Sequence, residues 1–152
     1  MSKVIVICGA TATGKSDIAI EVAKELGAEI INADSMQLYR GMDIGTAKLA
    51  VEERGGIPHH LLDVLDVNQD STVAWYQEQA RAVVTDIHAR GKDAVIVGGT
   101  GLYIKAILDD LNFPDTDPEV RAKLEAEAKE FGAASLFERL EELDPAAALA
   151  ID

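Results

Sequence analysis

Val4-Ile5-Val6-Ile7-Cys8-Gly9-Ala10-Thr11-Ala12-Thr13-Gly14-Lys15-Ser16 is the stretch on which the fold turns. Its first five residues are a continuous apolar, mostly β-branched run that stops at Gly9, the pattern of a buried parallel strand. Gly9 to Ser16 then fits G-x-x-x-x-G-K-[ST] at every fixed position. Behind it, Lys15 to Leu26 carries Ile18, Ala19, Val22, Ala23 and Leu26 at the spacing of one helix face, and Gly27 ends the pattern. A strand, a glycine loop and a helix in that order suit a phosphate. Backbone N–H groups of the loop curl around the anion, and the helix N-terminus adds about half a positive charge at the same spot. Lys15 supplies a mobile ammonium for the outer phosphate oxygens, and the Ser16 hydroxyl is placed to ligate Mg²⁺. Gly9, Ala10, Thr11, Ala12, Thr13, Gly14, Lys15 and Ser16 therefore predict a site for a diphosphate or triphosphate, without saying which.

Farther along the chain, strand and helix patterns alternate. Glu29 to Asn32 is a second short strand, and His60 to Val64 predicts a third. The mixed segment 33–57, broken by Gly41, Gly45, Gly55 and Gly56, allows a short helix over Thr46 to Arg54. Asn68 to Ser71 offers helix N-caps ahead of a helix with Tyr76, Ala80, Val83, Val84 and Ile87 on one face, ending at Gly91. Asp93 to Val97 is a fourth strand closed by Gly98-Gly99, and Leu102 to Leu111 predicts a further helix. Such alternation makes an α/β protein with a parallel sheet and right-handed crossovers. The texture changes at Asn112-Phe113-Pro114, which divides a core, 1–112, from a segment, 113–152, that reads as two or three helices.

The composition narrows the function classes. With 152 residues, 48% of them apolar, the chain has enough to bury a core, which argues against disorder. One cysteine excludes a disulfide scaffold and a cysteine-built zinc site, and fits a reducing, cytoplasmic setting. No run approaches the roughly 18 apolar residues of a membrane span, and the opening apolar run is too short for a signal peptide. The net charge of −13 argues against a broad cationic surface; Pro114 to Asp152 alone holds 11 acidic and 4 basic residues.

A phosphate-loop site usually needs a carboxylate near the end of another strand, as a metal ligand or a base. Asp34 and Asp63 both qualify. The fourth strand ends in Gly98-Gly99-Thr100-Gly101 with no acid, which allows a backbone to approach a ligand closely and offers the Thr100 hydroxyl, or simply makes a turn with Thr100 as N-cap. Other polar residues read more plainly. Asp43 and Lys48 would tie a loop together, His59 and His60 would pack or hydrogen-bond, Trp75 and Tyr76 would pack, and Cys8 would be an inert core thiol.

Asp34-Ser35-Met36-Gln37-Leu38-Tyr39-Arg40-Gly41-Met42-Asp43-Ile44-Gly45-Thr46-Ala47-Lys48 closely resembles a signature of the tRNA dimethylallyltransferases. Pro58-His59-His60-Leu61-Leu62-Asp63 and Gly98-Gly99-Thr100-Gly101-Leu102-Tyr103 resemble two more, and Asp117-Pro118-Glu119-Val120-Arg121 resembles the entry to that family's helical insertion. The resemblance implies a P-loop NTPase-like parallel sheet flanked by helices, followed by the start of a helical tRNA-binding insertion. It implies transfer of a dimethylallyl group from dimethylallyl diphosphate to N6 of an adenosine beside the anticodon of a tRNA, with Mg²⁺ as cofactor. In that chemistry Lys15, the loop amides and Mg²⁺ at Ser16 stabilise the departing diphosphate, and Asp34 takes the N6 proton or sits beside the metal. Thr100 joins Asp34 and Lys15 as a catalytic position. Asp34, Ser35, Met36, Gln37, Thr100 and Arg121 match positions that meet the tRNA anticodon stem-loop.

The resemblance further implies a cytoplasmic monomer with no membrane association. Members of that family are longer, so this chain is expected to be the amino-terminal portion, inactive alone, with basic tRNA-binding residues supplied beyond Asp152. Two enzyme readings compete: an adenylate isopentenyltransferase acting on a free adenine nucleotide, and a P-loop small-molecule kinase. A non-catalytic phosphate-binding module is the third alternative.

Overall fold

The computed structural model describes residues 2–109, 111–113 and 117–151. The chain divides into two compact units, Met1–Asn112 and Phe113–Asp152. In the first, four strands form one parallel sheet: β1 (Val4–Cys8), β2 (Glu29–Asn32), β3 (His59–His60) and β4 (Ala94–Gly98), in the order β1-β4-β2-β3. Val6 pairs with Ile96, Ile31 with Ile96, and Ile30 with both Val95 and His59. Three helices cover the sheet: α1 (Lys15–Leu26), α2 (Val73–Ala89) and α3 (Gly101–Leu108). Side chains alternate across a strand, so adjacent residues feed opposite faces. Ile30 and Val95 pack with Ala19, Ile20 and Ala23 of α1, whereas Ile31 and Ile96 pack with Tyr76, Ala80 and Ile87 of α2 and Tyr103 and Ile107 of α3. Burying each of these large side chains contributes roughly 1.5–3 kcal/mol.

Local signals end several elements away from the positions that spacing predicts. The strand over 60–64 shrinks to His59–His60, because Leu61 and Asp63 adopt left-handed φ of 58° and 55° and turn the chain out of the sheet. The helix over Thr46 to Arg54 reduces to one 3₁₀ turn, Val51–Arg54, since Ala47 at φ 52° breaks any helix through it. The cap of α2 is Thr72 rather than a residue of 68–71; its side chain accepts from Trp75 N at 3.1 Å. The helix over Leu102 to Leu111 starts at Gly101 and stops at Leu108. The buried face of α1 is Ala19, Ile20 and Ala23, while Ile18 and Leu26 are exposed. The strand over Val4–Cys8 forms, yet β4 is its only neighbour among the described residues, so it lies at an edge with both ends exposed. Cys8 is consequently exposed and not a core thiol.

The amino-terminal ends of the strands carry a closed set of charges. Glu29, the first residue of β2, has a side chain only 3% exposed. Its carboxylate accepts from both terminal nitrogens of Arg90 (the Nη2–Oε2 pair at 2.9 Å), from Lys92 Nζ at 2.8 Å, and contacts His60 Nε2 at 2.8 Å. Arg90 in turn meets Asp86 at 2.7 Å. The Arg90 hydrogen bonds, with help from Lys92 and His60, outweigh burial and hold the Glu29 carboxyl well below the usual carboxylate range.

The second unit contains α4 (Pro118–Phe131), α5 (Ala133–Leu143) and α6 (Pro145–Leu149). Asp117 caps α4 by accepting from Glu119 N and Val120 N, and Pro118 occupies the first turn, where its missing N–H is no loss. Phe131, Leu143 and Leu149 are exposed, and Ala148 is the only buried apolar residue described in this unit. No helix among the described residues is long and apolar enough to cross a membrane.

Candidate functional site

The carboxyl ends of β1, β2 and β4 open into one cavity of about 230 Å³. That lies below the roughly 300 Å³ at which pockets for drug-sized ligands begin, so it suits a small ligand. Thr11, Ala12, Thr13, Gly14, Lys15, Ser16 and Asp17 line it, together with Asn32, Asp34, Gln37, Thr46, Ala47, Leu49, Val97, Gly98 and Gly99. The loop after β1 and the acid after β2, eighteen or more residues apart in sequence, thus face one space.

The 9–16 loop is shaped by its turns. Gly14 sits at φ 76° as the N-cap of α1, a conformation that an L side chain resists, and its carbonyl accepts the first helical bond from Ile18 N at 3.2 Å. Thr13 Oγ1 donates to Ala10 O at 2.8 Å, and the Lys15 ammonium also folds back onto Ala10 O. Gly9 and Ala10 do not themselves line the cavity.

Asp34 is fixed from several sides. Asn32, buried at the end of β2, accepts from Asp34 N at 3.0 Å through Oδ1 and donates from Nδ2 to Asp34 O and Leu61 O, both at 2.9 Å. The Asn32 carbonyl accepts from the buried Tyr76 hydroxyl at 2.7 Å. Ala33 bridges to β4, donating to Val97 O at 2.8 Å and accepting from Thr100 N at 3.1 Å. The Asp34 Oδ1 accepts from Met36 N at 2.9 Å. Among the described residues its Oδ2 has no protein partner. Sequence reasoning gave Asn32 no role; the available signal was a polar residue closing an otherwise apolar strand two residues before an acid.

Gly98 departs from its sequence-based reading. A Cβ there would lie 2.3 Å from the Ala33 carbonyl, so the glycine is required first by the close passage of the chain after β2, while Gly98 and Gly99 also line the cavity. Thr100 stands at the N-cap of α3 without capping it; its Oγ1 accepts from Ser35 N at 3.2 Å and steadies the turn after Asp34. Gln37 lines the cavity and donates to Thr46 O at 2.8 Å, while Ser35, Met36 and Thr100 stay outside its lining. Asp63, the other possible acid partner, turns to Lys48 at 2.7 Å and Arg54 at 3.7 Å instead of the loop. Arg121 lies in the second unit on α4, 70% exposed and paired with Glu125 at 2.9 Å.

Neither histidine of 59–60 lines that cavity, although His59 borders a smaller pocket beside it with Ser16. His59 is pushed down in pKa by burial and contacts Ile57 O at 2.8 Å, and His60 belongs to Glu29. No group of three or more His, Cys, Asp or Glu side chains that could hold a metal occurs among the described residues. Mg²⁺ does not need one: it takes one or two carboxylates and fills its shell with water and phosphate oxygens. The Ser16 hydroxyl with Asp34 or Asp17, all on the cavity wall, has that character.

Comparison with known proteins places these features in a family. A family profile described as IPP transferase matches residues 37–152. A tRNA dimethylallyltransferase of Thermobifida fusca is 60% identical over 156 residues, covering 99% of this chain and 49% of that protein. One from Mycolicibacterium smegmatis is 57% identical, covering 99% and 50%. Among solved structures, the full-length tRNA isopentenylpyrophosphate transferase of Bacillus halodurans aligns with a TM-score of 0.73 at 44% identity, covering all of this chain and 51% of the other. A eukaryotic dimethylallyltransferase acting on tRNA aligns with a TM-score of 0.86 at 30% identity and 38% coverage of its chain. The chain spans about half the length of the curated relatives it matches.

Proposed function

The chain belongs to the IPP transferase family, and on that premise we propose that it carries the donor-binding and proton-accepting half of a tRNA dimethylallyltransferase site. The observation that carries this reading is the shared cavity: a cationic, amide-lined loop and a carboxylate with a free oxygen line the same 230 Å³. The loop binds the diphosphate of dimethylallyl diphosphate. N6 of adenine attacks C1 of the prenyl group, the C1–O bond breaks, and pyrophosphate leaves. Lys15 and the loop amides hold the charge that grows on the leaving group. Asp34 Oδ2 accepts the N6 proton, a general-base role that typically contributes about 10²–10⁴-fold. Ser16, with Asp17 beside it on the cavity wall, would hold Mg²⁺, which would supply further charge neutralisation on the diphosphate. Arg121 and the Ser35 to Gln37 turn are the tRNA-facing groups of this reading. A target adenine has to leave its stack to bring N6 to the half-buried Asp34. A tRNA acceptor sets the reaction in the cytoplasm.

The test is a chimera in which residues 1–152 replace the matching segment of the Thermobifida fusca relative. It is expected to prenylate an anticodon stem-loop from dimethylallyl diphosphate and to leave AMP unmodified and ATP intact. Preference for AMP would favour an adenylate isopentenyltransferase, and phosphoryl transfer from ATP would favour a kinase. The 152-residue chain alone is expected to bind the donor without transferring it.

A further inference from the structure

One cavity wall is built by residues that no phosphate motif predicts. Thr46, Ala47 and Leu49 line the cavity. Lys48, between them, turns the other way, and its side chain is 3% exposed. The turn is possible because Ala47 adopts φ 52°, a left-handed conformation that an L residue holds only when its surroundings enforce it. The enforcing group is the Lys48 ammonium. It donates to Tyr39 O at 2.6 Å, Asp63 Oδ1 at 2.7 Å and Asp43 Oδ1 at 2.9 Å, so all three of its protons have an acceptor. Burial alone would pull its pKa down, but Asp63 and Asp43 outweigh that and raise it, so the charge persists. Asp63 is itself left-handed at φ 55°. Two strained residues from separate loops are therefore pinned through one buried cation. From the cavity side, Gln37 holds the same wall through Thr46 O, and Thr46 Oγ1 donates to Met42 O at 2.8 Å.

We propose that Lys48 is a positioning residue for the diphosphate cavity: its ammonium fixes the Thr46–Leu49 wall in its ligand-ready shape before any ligand arrives. This rests on the diphosphate reading given above. Without the ammonium, Asp43 would lose its ion-pair partner and Asp63 would keep only Arg54 at 3.7 Å, Ala47 would relax toward ordinary φ, and the wall would move.

The experiment titrates inorganic pyrophosphate with Mg²⁺ into the 152-residue chain by calorimetry, well below the melting temperature of every variant. Lys48→Met is expected to bind pyrophosphate about tenfold more weakly than wild type. The neutral triple variant Lys48→Met, Asp43→Asn, Asp63→Asn separates wall from charge, and is expected to stay within about threefold of Lys48→Met. Wild-type affinity in folded Lys48→Met would overturn the proposal, and so would restored affinity in the triple variant, which would make Lys48 a mere charge balance. Should Lys48→Met fail to fold, Asp43→Asn and Asp63→Asn are each expected to weaken pyrophosphate by about threefold, and unchanged affinity in both would overturn it. A wild-type chain that binds no pyrophosphate would instead overturn the diphosphate reading, and this inference with it.

Discussion

The two ends of the parallel sheet handle polar groups in opposite ways. At the amino-terminal ends, Glu29 is buried and its carboxylate is met by Arg90, Lys92 and His60, so its hydrogen-bonding capacity is consumed within the protein. At the carboxyl ends, among the described residues, Lys15 contacts only a loop carbonyl, Asp34 Oδ2 has no partner, and the first-turn residues of α1 line a cavity. Saturated groups contribute stability and have nothing left for a ligand. Unsaturated ones contribute little stability and stand ready to bind. Lys48 falls between the two: it is saturated, yet it borders the cavity and shapes its wall.

That contrast breaks most visibly at Asp34. In the chimera, Asp34→Ala is expected to reduce transfer by about 10²–10⁴-fold while donor affinity stays within about threefold of wild type. Parallel loss of affinity and rate would make Asp34 a metal or structural group. Glu29→Gln should do the reverse. Removing one partner of a buried ion pair costs about 3–5 kcal/mol, and the lower end applies because Arg90 and Lys92 are 40% and 45% exposed and can rehydrate. Chemical denaturation should show that loss, with pyrophosphate affinity unchanged. A large affinity change would erase the distinction between the two ends.

Smaller effects sharpen the comparison. Gly98→Ala drives a Cβ into the Ala33 carbonyl and should cost about 1–3 kcal/mol, and because Ala33 precedes Asp34 it should also slow transfer. It is the variant that touches both properties at once; a stability loss with unchanged kcat would show that Asp34 is insulated from Ala33. The Glu29 cluster also gives an acid signature. Its folded-state pKa is depressed, so its stabilisation is present above the unfolded value of about 4.3 and fades as pH falls below it toward the folded value. Melting temperature should therefore drop more steeply with acidification in wild type than in Glu29→Gln, and identical slopes would contradict the cluster's role.

Local sequence carries the parts of this fold that depend on local chemistry. The β-branched run of Val4 to Cys8, the glycine loop and the α/β alternation are short-range patterns, and the parallel sheet follows from them. What tertiary contacts decide could not be inferred that way. Periodicity gives α1 an apolar face, but only the sheet beneath selects Ile20 over Ile18 and Leu26. Propensity extends the strand past His60, whereas left-handed Leu61 and Asp63 end it. The choice between Asp34 and Asp63 as the cavity's acid depended on Lys48 and Arg54 drawing Asp63 away, a contact 15 residues long for Lys48. Asn32 carried no motif, because its role comes from three hydrogen bonds to backbone groups around it.

The most direct test of the central claim is a calorimetric titration of dimethylallyl diphosphate, and separately of ATP, into the wild-type chain and Lys15→Met. The isolated chain is expected to bind the prenyl diphosphate weakly yet more tightly than ATP, with a further loss of about ten- to a hundredfold in Lys15→Met and no change in melting temperature without ligand. Equal affinity in the two proteins, or a preference for ATP, would contradict it.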